Sequence, residues 1–99
     1  MVGRKEQKRL EAEERNRRFA RRKPLEARLK SAEREIEALG IEKTRLEKLI
    51  ASPDIYGDGR KDDLKRYLLE QAQVAAKLHQ AEERWLTLSA ELEQLTARE

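Results

Sequence analysis

The sequence predicts an all-α fold, an antiparallel two-helix coiled-coil hairpin preceded by a basic arm that is helical or partly disordered. Three observations carry that reading. Of 99 residues, 43% are charged and 37% hydrophobic, with four aromatic residues in all, so a core several layers deep has too little to build on. Apolar residues recur in two long series at coiled-coil spacing. Between the series stands SPDIYGDGRKDD, residues 52–63, a stretch with a proline, two glycines and a tyrosine in a chain otherwise dominated by Glu, Lys, Arg, Ala and Leu.

The chain divides by charge before it divides by periodicity. Residues 1–23 hold ten Lys or Arg against four Glu, a net of +6, whereas residues 24–99 hold 13 against 16, a net of −3; together they give the +3 of the whole chain. We read 1–23 as a basic arm or linker and 24–99 as the hairpin. Within the arm, RNRRFARRK at residues 15–23 packs five Arg and one Lys around Phe19 with no acidic residue. Lys23 precedes Pro24, and a proline disfavours helical dihedrals in the residue before it. A helix through the arm is therefore expected to end or bend there and leave the arm movable. Phe19 falls near the hairpin base, where packing against the end of the second helix is expected ahead of base stacking.

The first helical arm is marked by Leu25, Leu29, Ala32, Ile36, Leu39, Lys43, Leu46 and Ile50, in alternating steps of four and three. Steps averaging 3.5 place these side chains on one seam of an α-helix, the pattern of left-handed knobs-into-holes packing. Gly40 lies inside this arm but off the seam.

The tip follows. Pro53 can start a short turn with Ser52 as cap and Asp54 in its first turn. Gly57 and Gly59 can take positive φ, and Asp58 before Gly59 is a turn pair, so the chain can reverse here. Asp62 and Asp63 then offer a cap and negative charge for the second helix. Tyr56 reads as a tip residue laid over the helix ends ahead of a binding group.

The second arm carries Leu64, Tyr67, Gln71, Val74, Leu78, Ala81, Trp85, Leu88, Leu92 and Leu95 on its seam. Side-chain size suggests the register: Trp85 across from Ala32, Leu39 from Leu78 and Leu25 from Leu92. The next choice is one heptad tighter and sets Trp85 against Leu25. Trp85 is expected in the core, and Lys43 and Gln71 place polar groups on the seam near the tip, which lowers stability but helps fix register.

Chemistry is scarce. There is no cysteine, which removes disulfides, thiolate catalysis and Cys-based zinc sites. The single His79 sits beside a seam position and should face solvent, so neither metal binding nor acid–base work is expected of it. DIYGDGRKDDLK, from Asp54, imitates an EF-hand loop at Asp54, Asp58 and Gly59. Tyr56 and Lys65, however, stand where the third and twelfth positions need oxygen ligands. No phosphate-binding loop or nucleophile–base set is present, so no catalytic residue, metal or cofactor is expected within these residues. No signal peptide or apolar run of about 18 residues is found, which is compatible with the cytoplasm and with no membrane partner.

What remains is the arginine-rich run. Cations at this density suit phosphate backbones, since each neutralised phosphate releases condensed counterion, and arginine suits bidentate contact. The candidate nucleic-acid-binding residues are Arg15, Arg17, Arg18, Arg21, Arg22 and Lys23, with Lys5, Lys8 and Arg9 as extensions and Arg60 and Lys61 as a possible tip contact. The competing reading is a solvated linker whose charges keep it soluble.

Three features in order, the basic segment RKEQKRLEAEERNRRFARRKPLEARLKSAEREIEAL, the tip SPDIY, and W-x-x-L at Trp85 and Leu88, resemble the C-terminal domain of ABC-F ATP-binding cassette proteins, soluble ATPases of the Uup and YheS type. The likeness runs from about Arg4 to Leu95; the tip reads Pro53-Asp54, where the family often has Asp before Pro. The resemblance implies a fragment of a longer chain, in which two upstream nucleotide-binding domains hold ATP and magnesium and do the hydrolysis. It also implies a ribosome- and translation-linked, cytoplasmic role, with rRNA or DNA contacted by this domain and the ATPase domains supported by it. Two other readings stay open: a protein-interaction or dimerisation coiled coil, and a tRNA-binding arm like that of valyl-tRNA synthetase. A hairpin that closes on itself is expected to be a monomer.

Overall fold

The computed structural model describes residues 3–98 and is a helical hairpin 86 Å long and 17 by 15 Å across. Helix α1 spans Arg4–Ala51, a single 3-10 turn spans Pro53–Tyr56, and helix α2 spans Lys61–Ala97. No strand occurs among the described residues.

The heptad reading sets the core. Ala32 and Leu46 of α1 and Val74 and Ala81 of α2 are buried, Leu46 completely. The other seam positions are half-buried, with one exception. Lys43 is exposed and reaches outward to Glu47 at 4.0 Å, so its charge stays in water while its stem lies along the helix. The polar contribution to the seam near the tip therefore comes from Gln71, which is half-buried.

Contacts across the helices select the wider register. The indole N–H of Trp85 donates to Glu33 Oε1 at 3.1 Å, Arg84 pairs with Glu35, and Arg45 reaches Glu70 Oε2 at 3.5 Å. These bonds put Trp85 beside Ala32, as side-chain size suggested, and not against Leu25. Trp85 is half-buried rather than enclosed: it stands on the seam across from the small Ala32 position while its N–H keeps a carboxylate at the rim.

The expected helix end at Lys23 is not found, because α1 runs through Pro24 and is helical from Arg4 to Ala51. Proline removes one i to i−4 hydrogen bond, here to the carbonyl of Ala20. Pro24 and Ala20 are both exposed, so that carbonyl has water available. Arg18 and Arg21 line a groove with Leu95 and Arg98, and Leu25 is half-buried on the far side of the proline. The end of α2 thus lies alongside this part of α1 and splints it. The splint ends where α2 ends. Residues 3–11 are all exposed, and roughly ten residues of α1, about 15 Å, project past the last turn of α2.

At the other end the reversal is tight. Ser52 N–H donates to Lys48 O, Ile55 N–H to Ser52 O and Gly57 N–H to Asp54 O, at 3.1 to 3.2 Å. Ile55 is buried and plugs the end of the seam. Of the two glycines able to take positive φ, Gly59 does so, at 80°, while Gly57 is extended at −75°. Neither Asp62 nor Asp63 caps α2. The cap position is Arg60, which makes no side-chain cap, and Asp63 instead accepts from Arg60 Nε at 2.8 Å.

The Tyr56 hydroxyl donates to the carbonyl of Ile50 at 2.8 Å, satisfying one of the last carbonyls of α1, which have no partner within the helix. Tyr56→Phe should lower stability by about 0.5–1.5 kcal/mol in denaturant titration. An unchanged midpoint would mean that water replaces the hydroxyl at no cost.

Candidate nucleic-acid interface

The sequence candidates fall into two groups at opposite ends of the molecule. Lys5, Lys8, Arg9, Arg15, Arg17, Arg18, Arg21, Arg22 and Lys23 all lie on α1 at the open end of the hairpin. Arg60 and Lys61 lie at the tip, and in a molecule 86 Å long the two groups cannot share one short ligand. Arg60 is also committed locally, paired with Asp63 as α2 begins.

Within the basic run the helix sorts the cations onto two sides. Glu14 stands three, four and seven residues before Arg17, Arg18 and Arg21, all on one helical face. Arg17 donates to Glu14 Oε2 through Nε at 3.1 Å and Nη2 at 2.8 Å; Arg18 Nε reaches Oε1 at 3.3 Å, and Arg21 lies 3.8 Å from the same oxygen. The hydrogen bond from Arg17, followed by that from Arg18, holds the Glu14 carboxyl below its ordinary range even though the group is exposed to solvent. Its folded value is depressed, so the attraction is present at neutral pH and is lost only as pH falls through that lowered value. Arg18 and Arg21 also sit by the C-terminal turn of α2, where helix carbonyls favour positive charge. Arg18 and Arg21 therefore face the end of α2 as well as offering charge.

The other side carries Arg15, Phe19 and Lys23, four residues apart, with Asn16 and Arg22 at its edges. Arg15 makes no ion pair among the described residues, and Arg22 approaches Glu26 at 4.0 Å. The Lys23 ammonium lies 5.5 Å from the Phe19 ring centroid, within cation–π range. Phe19 is 53% exposed, so the expectation that it packs against the end of α2 is not met. Stepping back from Leu25 by three and four gives Arg22 and Arg18 as the half-buried seam positions, which turns Phe19 outward. Further out, Arg9 pairs with Glu6 and Glu13, while Lys5 and Lys8 are exposed.

Sequence reasoning missed Glu14 as the organiser of three arginines. Its helical spacing to them was there to be read. It also missed Glu33 as the partner of Trp85, which depends on tertiary register and has no local signal.

Residues 19–90 match the family model described as the ABC transporter C-terminal domain. The chain belongs to this family. No curated protein and no solved structure matches it. The match runs from Phe19 to Ala90, so it takes in Arg21, Arg22 and Lys23, the first hairpin arm, the tip and the second arm short of Leu92 and Leu95, while Arg15, Arg17 and Arg18 lie just before it. It is an accessory domain of an ABC-type protein and is not itself catalytic.

Among the described residues nothing else competes as a site. No group of three or more metal-ligating side chains occurs among the described residues. The imitation calcium loop is spent on the 3-10 turn and the start of α2. His79 is exposed and pairs with Glu83 at 3.1 Å. No helix among the described residues is long and apolar enough to cross a membrane.

Proposed function

We propose that this C-terminal domain belongs to a soluble ABC-F ATPase acting on the ribosome in translation. In this reading it grips nucleic acid, rRNA or DNA, through the basic stretch of α1. The observation that carries the reading is the unbroken helix: a net-positive segment is held rigidly at the open end of the hairpin and projects past α2, where a phosphate backbone can lie against it. Arg15, Lys23, Lys5 and Lys8 supply charge on faces turned away from the Glu14 cluster, and Arg22 adds to them at the edge. The ATP, its magnesium and the hydrolytic residues belong to the upstream domains, and the hairpin supports those domains as a cytoplasmic appendage. Arg60 and Lys61 add a second, distant contact at the tip.

The test is a titration of labelled duplex DNA or structured RNA by fluorescence anisotropy at two salt concentrations. Binding should weaken steeply with salt, as counterion release requires. Glu14→Gln releases three arginines and should raise affinity roughly two- to fivefold, the scale of an exposed ion pair. Unchanged affinity in that variant would mean that the arginines gathered at Glu14 never reach phosphate.

A further inference from the structure

We propose that Phe19 is a stacking platform for an unpaired nucleobase, so that the ligand of the basic stretch includes single-stranded nucleotides and not duplex backbone alone. The inference rests on the nucleic-acid reading above and names the ligand class within it.

Beyond its contact with Lys23, an aromatic ring in this position has no task in the hairpin core. It lies off the hairpin seam, more than half exposed, in a chain with four aromatic residues. The other three have one: Tyr56 caps α1, Trp85 stands on the seam across from Ala32, and Tyr67 is half-buried on the seam of α2. Phe19 is instead ringed by Arg15, Asn16, Arg18 and Arg22, which line the same shallow groove, and by Lys23, whose ammonium faces the ring. Arg15 and Lys23 stand one helical turn before and after it, on the same face, with no acidic residue between them. The nearest acidic residue before the ring, Glu14, is occupied by Arg17, Arg18 and Arg21, and of these Arg18 also edges the groove of the ring.

A ring flanked along one line by cations is the arrangement that single-strand binders use: the base stacks on the aromatic face and the cations take the phosphates on either side. Stacking tolerates any base, because each has a π face, so the site would be non-specific in sequence. A duplex offers its phosphates to the same cations but keeps its bases paired and stacked on one another, and so gains nothing from the ring.

The experiment compares Phe19→Leu with the unaltered protein on two labelled probes, oligo(dT) of about 12 nucleotides and a long blunt duplex, by fluorescence anisotropy. The expected result is a loss of about tenfold in affinity for oligo(dT), with duplex affinity within about twofold and both salt slopes unchanged. Phe19→Trp should retain the binding to oligo(dT). Circular dichroism confirms that the helix is intact in both variants. Undiminished binding of oligo(dT) by Phe19→Leu, or an equal loss on both probes, overturns the stacking role while the electrostatic reading stands. Failure of the unaltered protein to bind either probe overturns both.

Discussion

Replacing Leu46 by Ala should cost the hairpin about 2–5 kcal/mol, the largest single-residue loss expected anywhere in the molecule. Leu46 is fully enclosed, whereas most seam positions are half-open to water. A cavity there cannot be refilled by solvent, and the neighbours are held by helices that cannot collapse inward far. The substitution removes the transfer free energy of the lost methyl groups and leaves the void uncompensated. For a domain of this size each kcal/mol moves the midpoint by about 4–8 °C, so the thermal transition followed by circular dichroism should fall by more than about 10 °C. Leu86→Ala is the matched control. Leu86 is exposed on α2, away from the seam, and its truncation should stay within about 0.5 kcal/mol. Equal midpoints for the two variants would mean that the arms do not pack on this seam.

The second large effect concerns binding. Converting Arg17, Arg18, Arg21 and Arg22 together to Gln should abolish measurable binding of nucleic acid at physiological salt. Each phosphate contact contributes about 0.9 to the salt slope on duplex DNA, so losing four should flatten it by up to about 3.6. Gln has nearly the helix propensity of Arg, so α1 itself should persist. The variant also leaves Glu14 without its three partners and turns part of the surface acidic, which adds to the loss. Arg15→Gln isolates the outward face, because Arg15 has no role in the Glu14 cluster and its removal leaves the hairpin base untouched. Retained binding in the fourfold variant would move the interface off the Glu14 cluster, onto Arg15, Lys23, Lys5 and Lys8 if Arg15→Gln then weakens it, and to the tip cations Arg60 and Lys61 if it does not.

The hairpin was legible because coiled-coil packing is written in one dimension. A side chain every 3.5 residues determines its seam, and residue size alone placed Trp85 by Ala32. Lys43 kept the period but not the burial, since a long aliphatic stem lets an ammonium leave a seam that a shorter polar group would have to occupy. Pro24 was misread for a different reason. The rule that a proline ends a helix is local, and here the last turns of α2 lie against residues on both sides of it, which outweighs one missing hydrogen bond. Phe19 was misplaced by extending the hairpin's register to its open end without following the seam back through Arg22 and Arg18. The charge of the candidate interface could be counted from sequence, and its division around Glu14 follows from helical spacing within residues 14–21, which charge counting alone passes over.

The continuity of α1 has a mechanical consequence. A helix of 48 residues is about 72 Å long, and α2 stiffens it over most of its length. With the helix unbroken at Pro24, a tilt of one degree at the open end carries the tip sideways by roughly 1 Å, and ten degrees by roughly 12 Å. The molecule is a lever whose short arm is the basic stretch and whose long arm ends at Ile55 and Tyr56, so small rotations at the open end become large excursions of the tip.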